Sequence, residues 1–184
     1  MNADRYIKLG RLTTFISFLL GTCIFSLYFL TSSDEVLIVG YSFIPFIVLI
    51  NIGILIFILI KARQDKDSRK KLLTSCSLML INIPILFLYC WFTIILLNTM
   101  RINFTNTTQT TLTKINIVGC GGGKIDKLEV GESKTVWVEI PRDCSISIEY
   151  LSNGQRKKEN VSGYATSSMG QKMKHAIGKN KDHF

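Results

Sequence analysis

"LLTSCSLMLINIPILFLYCWFTIILL", Leu72–Leu97, runs straight into "NTMRINFTNTT", Asn98–Thr108, and this junction decides the architecture. Up to Leu97 the run carries no charge. Beyond Met100 the chain is polar, short-period and rich in Thr, Ser, Gly and Lys. A bilayer crossing takes roughly 20 apolar residues. A globular core helix of that length would show a polar face to water, and this run has none. Two earlier runs have the same character: "LTTFISFLLGTCIFSLYFL", Leu12–Leu30, and "LIVGYSFIPFIVLINIGILIFILI", Leu37–Ile60. The chain therefore reads as a membrane protein with three transmembrane α-helices near 12–30, 37–60 and 72–97, together forming a membrane domain over 1–100. The hydrophobic fraction of 47% is concentrated in them.

The basic residues set the expected orientation. Arg5, Lys8 and Arg11 flank the first run. Lys61, Arg63, Lys66, Arg69, Lys70 and Lys71 fill the loop between the second and third. The loop between the first two, "TSSDEV", carries only Asp34 and Glu35. This predicts a cytoplasmic N-terminus and an extracytoplasmic C-terminal part, in a multi-pass protein of the cell (inner) membrane, embedded in lipid. The net charge of +9 is in part this topology signal and is no evidence for nucleic acid. A cleaved signal peptide would have a shorter apolar stretch and a small-residue cleavage site. "LGTC", Leu20–Cys23, is a poor lipoprotein box because the apolar run continues to Leu30. Cys23, Cys76 and Cys90 read as ordinary buried thiols.

After Arg101 the period changes to two. Ile115 and Ile117 fall on one face of "LTKINIVG". Val136, Val138 and Ile140 oppose Trp137 in "KTVWVEI", and Ile146, Ile148 and Tyr150 alternate with polar residues in "SISIEYL". Turn signals separate these runs, and Asn153-Gly154 is the strongest hairpin signal. "QRKKENVSGY" and "QKMKHAI" add two further strands. The prediction is a small antiparallel all-β sandwich or barrel over 101–177, followed by a basic tail over 178–184.

"IVGCGGGKID", Ile117–Asp126, raises the question of a phosphate loop. Such a loop needs a glycine, four residues, then Gly-Lys and a hydroxyl residue. Val118 stands in place of the first glycine and Ile125 in place of the hydroxyl, so we expect a turn between strands and no nucleotide. Cys120 and Cys144 are the only cysteines of this part. In an oxidising compartment such a pair reads as a disulfide.

The search for chemistry yields little. His175 and His183 are the only histidines, and Cys120, Cys144, His175 and His183 show no metal-ligand spacing. No nucleophile sits in a recognised context, so catalytic, cofactor and metal residues are all expected to be none, and the protein is not expected to be an enzyme. The helices hold no ionisable group of the kind that carries ions or protons. Pro45 and Pro84 read as local kinks. Counting from the basic flanks places Thr22, Asn51 and Asn82 at one depth, which predicts an interhelical polar layer with Asn51 bonded to Asn82. Asn103, Asn106 and Asn160 begin sequons, which matter only on a eukaryotic secretory route.

The segments "IDKLEVGESKTVWVEIP", "CSISIEY" and "SGYATSSMGQKM" resemble those of small bacterial membrane proteins that carry an extracytoplasmic β domain. The resemblance covers about Met100 to Ile177 and brings no catalytic or ligand residues with it. Some proteins of this build protect bacteria against toxins delivered by neighbours. The expected function is thus binding of a protein partner at the envelope, with immunity as one form of it. The alternative is a structural or accessory subunit of a larger membrane complex.

Overall fold

The computed structural model describes residues 3–179. The chain divides between Thr93 and Ile94 into two compact units. The first holds three helices, each long and apolar enough to cross a membrane: α1 (Ala3–Thr31), α2 (Asp34–Gln64) and α3 (Arg69–Leu97). Each is longer than its apolar run, because the polar flanks continue the helix. Ser33 caps α2 by accepting a hydrogen bond from the Val36 N–H at 3.4 Å. Asp34 and Glu35 lie in the first turn, where the helix dipole favours acids, and Lys61 and Arg63 lie in the last, where it favours bases. Ser32 turns the chain out of α1 with φ 53°. Asp65 accepts from the Ser68 N–H at 3.1 Å and so shapes the turn into α3.

At the end of the bundle that carries the basic flanks, the three helices meet through Gly10. A Cβ there would stand 2.6 Å from both Ile58 Cδ1 and Ser75 Oγ. A residue without a side chain lets the helix backbones approach closely there. Ile7, Ile58, Ala62, Leu72, Cys76 and Met79 form the buried cluster around that contact. Farther along, Phe25 of α1 stacks on Tyr89 of α3 at 4.9 Å. Of the thiols expected to be buried, only Cys76 is; Cys23 and Cys90 lie exposed on the helix surfaces. The buried seam is narrow, so most apolar side chains face outward.

The second unit is a mixed β-sandwich. Its strands are β1 (Thr99–Asn106), β2 (Leu112–Val118), β3 (Gly123–Leu128), β4 (Ser133–Glu139), β5 (Cys144–Ser152), β6 (Gln155–Ala165) and β7 (Lys172–Ile177). One sheet has the order β4-β1-β7 and the other β3-β2-β5-β6. The purely antiparallel arrangement read from the sequence is corrected at one pair, because β7 runs parallel to β1, with Phe104 opposite His175. The chain leaves β6 in one sheet and crosses to the other before β7 begins. A parallel pair requires such a crossover, and alternation within strands cannot reveal it. Strand β1 was not anticipated either, although Met100, Ile102 and Phe104 alternate inward.

The core is the set of alternating apolar residues from both inner faces. Met100, Ile102 and Phe104 meet Ile115, Ile117, Ile146, Ile148 and Tyr150, with Val138 and Ile140 closing the β4 side. Trp137 points the other way, half exposed, and the Arg101 guanidinium lies 5.7 Å over its ring. A bulge between Thr113 and Asn116, with Lys114 at φ 50°, lets Leu112 and Ile115, three residues apart, both face inward. Asn153 and Gly154, at φ 50° and 78°, make the two-residue turn between β5 and β6. The last turn of α3 belongs to this unit. Leu97 and Asn98 carbonyls, orphaned at the helix end, accept from Gly170 N–H at 2.7 Å and Ile140 N–H at 2.8 Å.

Candidate functional site

Three places in the molecule gather polar groups: the seam between helices, the glycine loop with its disulfide, and the edge of the sandwich at β6 and β7.

In the bundle, α1 is the common partner. Ser75 Oγ donates to Ile7 O at 3.3 Å, Asn82 Nδ2 donates to Thr14 O at 3.0 Å, and the Thr22 and Tyr89 hydroxyls lie 2.8 Å apart. The α3 members fall seven residues apart, and their partners on α1 recur every seven or eight. Asn51 of α2 donates to Ser17 Oγ at 2.7 Å and to its own Ile47 O at 2.8 Å. The Oδ1 of Asn51 accepts no hydrogen bond. Thr22, Asn51 and Asn82 therefore all contact another helix, but at successive levels of α1 and without a bond between the two asparagines. The reason is stagger. The bonded pairs set α1 residue i beside α3 residue i+67 or i+68, so Lys71 is level with Asp4, not with Arg11. Counting from the basic flanks as if they were level displaces α3 by about two turns. Asn51 and Asn82 also line an apolar cavity of about 330 Å³ among the three helices, with Ser17, Gly21, Ile47 and Ile83.

The glycine loop is a packed turn, tighter than the loose one its composition suggests. Gly119 has φ 93°, and a Cβ on it would fall 1.8 Å from Ser145 O, so only glycine fits. The Gly121 N–H donates to Glu139 O at 2.8 Å and the Gly122 N–H to Gly119 O at 3.0 Å. Two donors of the loop are thus already engaged inside the domain. Cys120 is joined to Cys144 with Cα atoms 5.3 Å apart, which ties the β2–β3 turn to the start of β5.

At the other edge, Glu159 of β6 points into the sandwich opposite His175 of β7. His175 Nε2 lies 3.3 Å from Glu159 Oε2, the Gly178 N–H donates to Glu159 Oε1 at 3.0 Å, and the Tyr150 hydroxyl donates to the same Oε1. His175 also meets the edge of Phe104 at 5.9 Å. Burial pushes the Glu159 carboxyl up, but the bonds from His175, Tyr150 and Gly178 outweigh it and hold the group below the usual carboxylate range. Burial, with the bond to Glu159, pushes the Tyr150 hydroxyl well up. Bonded to one another, these groups form a polar clasp between two edge strands. Inward-pointing charge at a sheet edge also discourages wrong pairing.

Strand β6 ends its sheet and pairs only with β5. Its eleven residues begin with exposed Gln155, Arg156, Lys157 and Lys158. Glu149 lies 3.4 Å from Lys158 and 3.9 Å from Arg156. Such exposed pairs contribute little to stability.

The sequence reading missed Asn106, treating it only as a sequon. It is fully buried. Its Nδ2 donates to Thr110 O at 2.8 Å and Leu128 O at 3.0 Å, and its Oδ1 accepts from Thr108 N–H at 3.0 Å and Thr108 Oγ1 at 2.7 Å. An Asn followed by Thr-Thr at a strand end is the available signal, since such side chains mimic backbone turns. Asn103 donates to Thr135 Oγ1 at 3.0 Å, and Asn160 is exposed. Among the described residues no three His, Cys, Asp or Glu side chains gather as metal ligands. His183 and most of the basic tail lie outside the described residues. No protein-family model, curated protein or solved structure matches the chain.

Proposed function

We propose that the protein is a membrane-anchored, non-catalytic binding protein, whose β-sandwich accepts an extended, acidic segment of a protein partner along the free edge of β6. The three helices hold it in the membrane, and the basic flanks of α1 and of the α2–α3 loop favour an arrangement with the sandwich outside the cytoplasm. The carrying observation is the edge itself: the longest strand of the domain has one neighbour, and its first residues are cationic. Edge strands recruit partner strands through backbone hydrogen bonds. The same cations deter pairing with a second copy, because like charges would be aligned. A toxin arriving at the envelope is one partner with access to this edge, which keeps the immunity reading as a specific form of the proposal.

The two-residue turn makes Ser152 and Gln155 a bonded pair, so pairing alternates along the ladder and the N–H of Lys158 faces away from β5. Lys158→Pro removes that donor while sparing the β5–β6 ladder. The test places a photo-reactive residue at Asn160 in the full chain in its native membrane and identifies the proteins captured there. The expected result is one dominant partner, lost in Lys158→Pro and reduced in Lys158→Glu. Capture at Asn160 unchanged by both substitutions would sink the edge proposal and favour an accessory subunit.

A further inference from the structure

A second groove in the helical unit has a different character from the apolar cavity. It runs between α1 and α3, with a volume of about 340 Å³. Phe15 and Phe18 of α1 and Leu78, Ile81 and Ile85 of α3 form its walls, and Arg11 stands at one end. No residue of α2 lines it, so it opens on the outer surface of the bundle. Its walls are exposed, Phe15 at 60% and Ile81 at 52%. The Thr14–Asn82 bond forms its floor and fixes the spacing of the two helices.

From these observations we infer that the groove holds one anionic phospholipid, with its phosphate on Arg11 and an acyl chain lying along Phe15, Phe18, Ile81 and Ile85. The inference rests on the reading that the helices cross a membrane. Charge and size together select the occupant. Arg11 forms no ion pair among the described residues, and Lys8 lies one turn before it on α1. Thr74 and Lys71 continue the Leu78 face of α3 toward the same end, at the i, i+3, i+7 spacing of one helix face. Asp4 is the one acid of α1, two turns from Arg11 and level with Lys71. The stagger of the helices sets Arg11 beside Leu78, about two turns deeper than Lys71. A phosphate drawn to Arg11 therefore sits at the Leu78 end of the apolar walls, with its chains along the rest of them. From Arg11 to Phe18 is seven residues, or about 10 Å along the axis. That length accommodates part of one extended acyl chain. Basic pockets between helices at the cytoplasmic side are a known means of selecting anionic headgroups.

The test uses the full chain in nanodiscs made from equal parts phosphatidylcholine and phosphatidylglycerol. Lipids that stay with the protein on release are counted by native mass spectrometry. The expected result is one retained phosphatidylglycerol, preferred over phosphatidylcholine by about fivefold, the effect of one cation near a membrane phosphate. Arg11→Gln should abolish the preference while leaving the protein in the disc. Ile81→Trp, which fills the groove, should lower retention of both lipids. Lys66→Gln removes a cation of the α2–α3 loop that does not line the groove, and should leave the preference unchanged. Equal retention of the two lipids by the unaltered protein overturns the inference. So does an equal loss in Lys66→Gln and Arg11→Gln, which would mean diffuse attraction with no site. Failure to integrate into discs of phosphatidylcholine alone would instead defeat the membrane reading, and integration without lipid preference defeats only the lipid site.

Discussion

The two units solve the problem of specificity in opposite ways. The helical unit is apolar almost everywhere, and what distinguishes one helix pairing from another is a short series of polar contacts: Ile7 with Ser75, Thr14 with Asn82, Thr22 with Tyr89, and Ser17 with Asn51. The sandwich is polar outside, and what distinguishes its strand order is the apolar set that fills its centre. In the seam, whose side chains are apolar, a hydrogen bond is the uncommon and therefore informative contact. In the sandwich, whose outer faces are polar, the buried methyl group plays that part. One residue type makes the contrast concrete. Asn82 bonds once across helices, whereas Asn106 makes four bonds inside the sandwich.

The largest effect that can sharpen this contrast belongs to the disulfide. With a sequence separation of 24 residues, closing the loop stabilises by about 3.5 kcal/mol in the chain-entropy model. Cys120→Ser should lower the denaturant midpoint of the β unit, followed by Trp137 fluorescence in a full chain carrying Trp91→Phe. The helical unit, followed by far-ultraviolet dichroism, should stay folded. Simultaneous loss of both signals would show that the two units do not unfold separately.

Next comes the same substitution made in both settings. Asn106→Leu takes its side-chain donor from the buried Leu128 carbonyl, at about 1–3 kcal/mol, while the Thr110 carbonyl keeps Thr108 Oγ1 at 2.9 Å. Asn82→Leu removes one interhelical bond, worth about 0.6–2 kcal/mol. Thermal unfolding of the two variants in the same detergent should rank them in that order. The reverse ranking would show that the four bonds of Asn106 stabilise less than the single interhelical bond of Asn82.

The smallest effect is a pH dependence at the clasp. The Glu159 carboxyl is held below its ordinary value near 4.5 in the folded domain. Its contribution is therefore complete above that value and is lost as pH falls through the lowered one. Melting of the β unit measured from pH 7 down to about pH 3 should fall more steeply for the unaltered protein than for Glu159→Gln. Parallel curves would remove the clasp from the account of stability.

Much of this was legible in the sequence because it depends on composition or on alternation. The three apolar helices needed only length and the absence of charge. The inward set Ile115, Ile117, Val138, Ile140, Ile146, Ile148 and Tyr150 needed only a period of two. The turn at Asn153-Gly154 needed only residues that accept positive φ. Other features depend on distances that sequence does not encode. The stagger of α1 against α3 is set by where Gly10 lets backbones meet, so flank counting put Thr22, Asn51 and Asn82 in one layer when they lie at several levels. The pairing of β1 with β7 joins the two ends of the domain across a change of sheet, and no local pattern announces it. Asn106 and Glu159 look like ordinary surface residues until their partners arrive from elsewhere in the chain.

That last pairing also imposes an order in time. Strand β1 is the middle of its sheet, yet its neighbour β7 is the final strand of the domain, with Arg101 opposite Lys172. A ribosome adding about 5–20 residues per second takes several seconds to bridge that interval. Throughout it, Met100, Ile102 and Phe104 lie on a strand with one flank unclosed. A domain wired this way acquires its full shape only when β7 has been delivered, so closure of the sheet waits on the later of the two strands it joins.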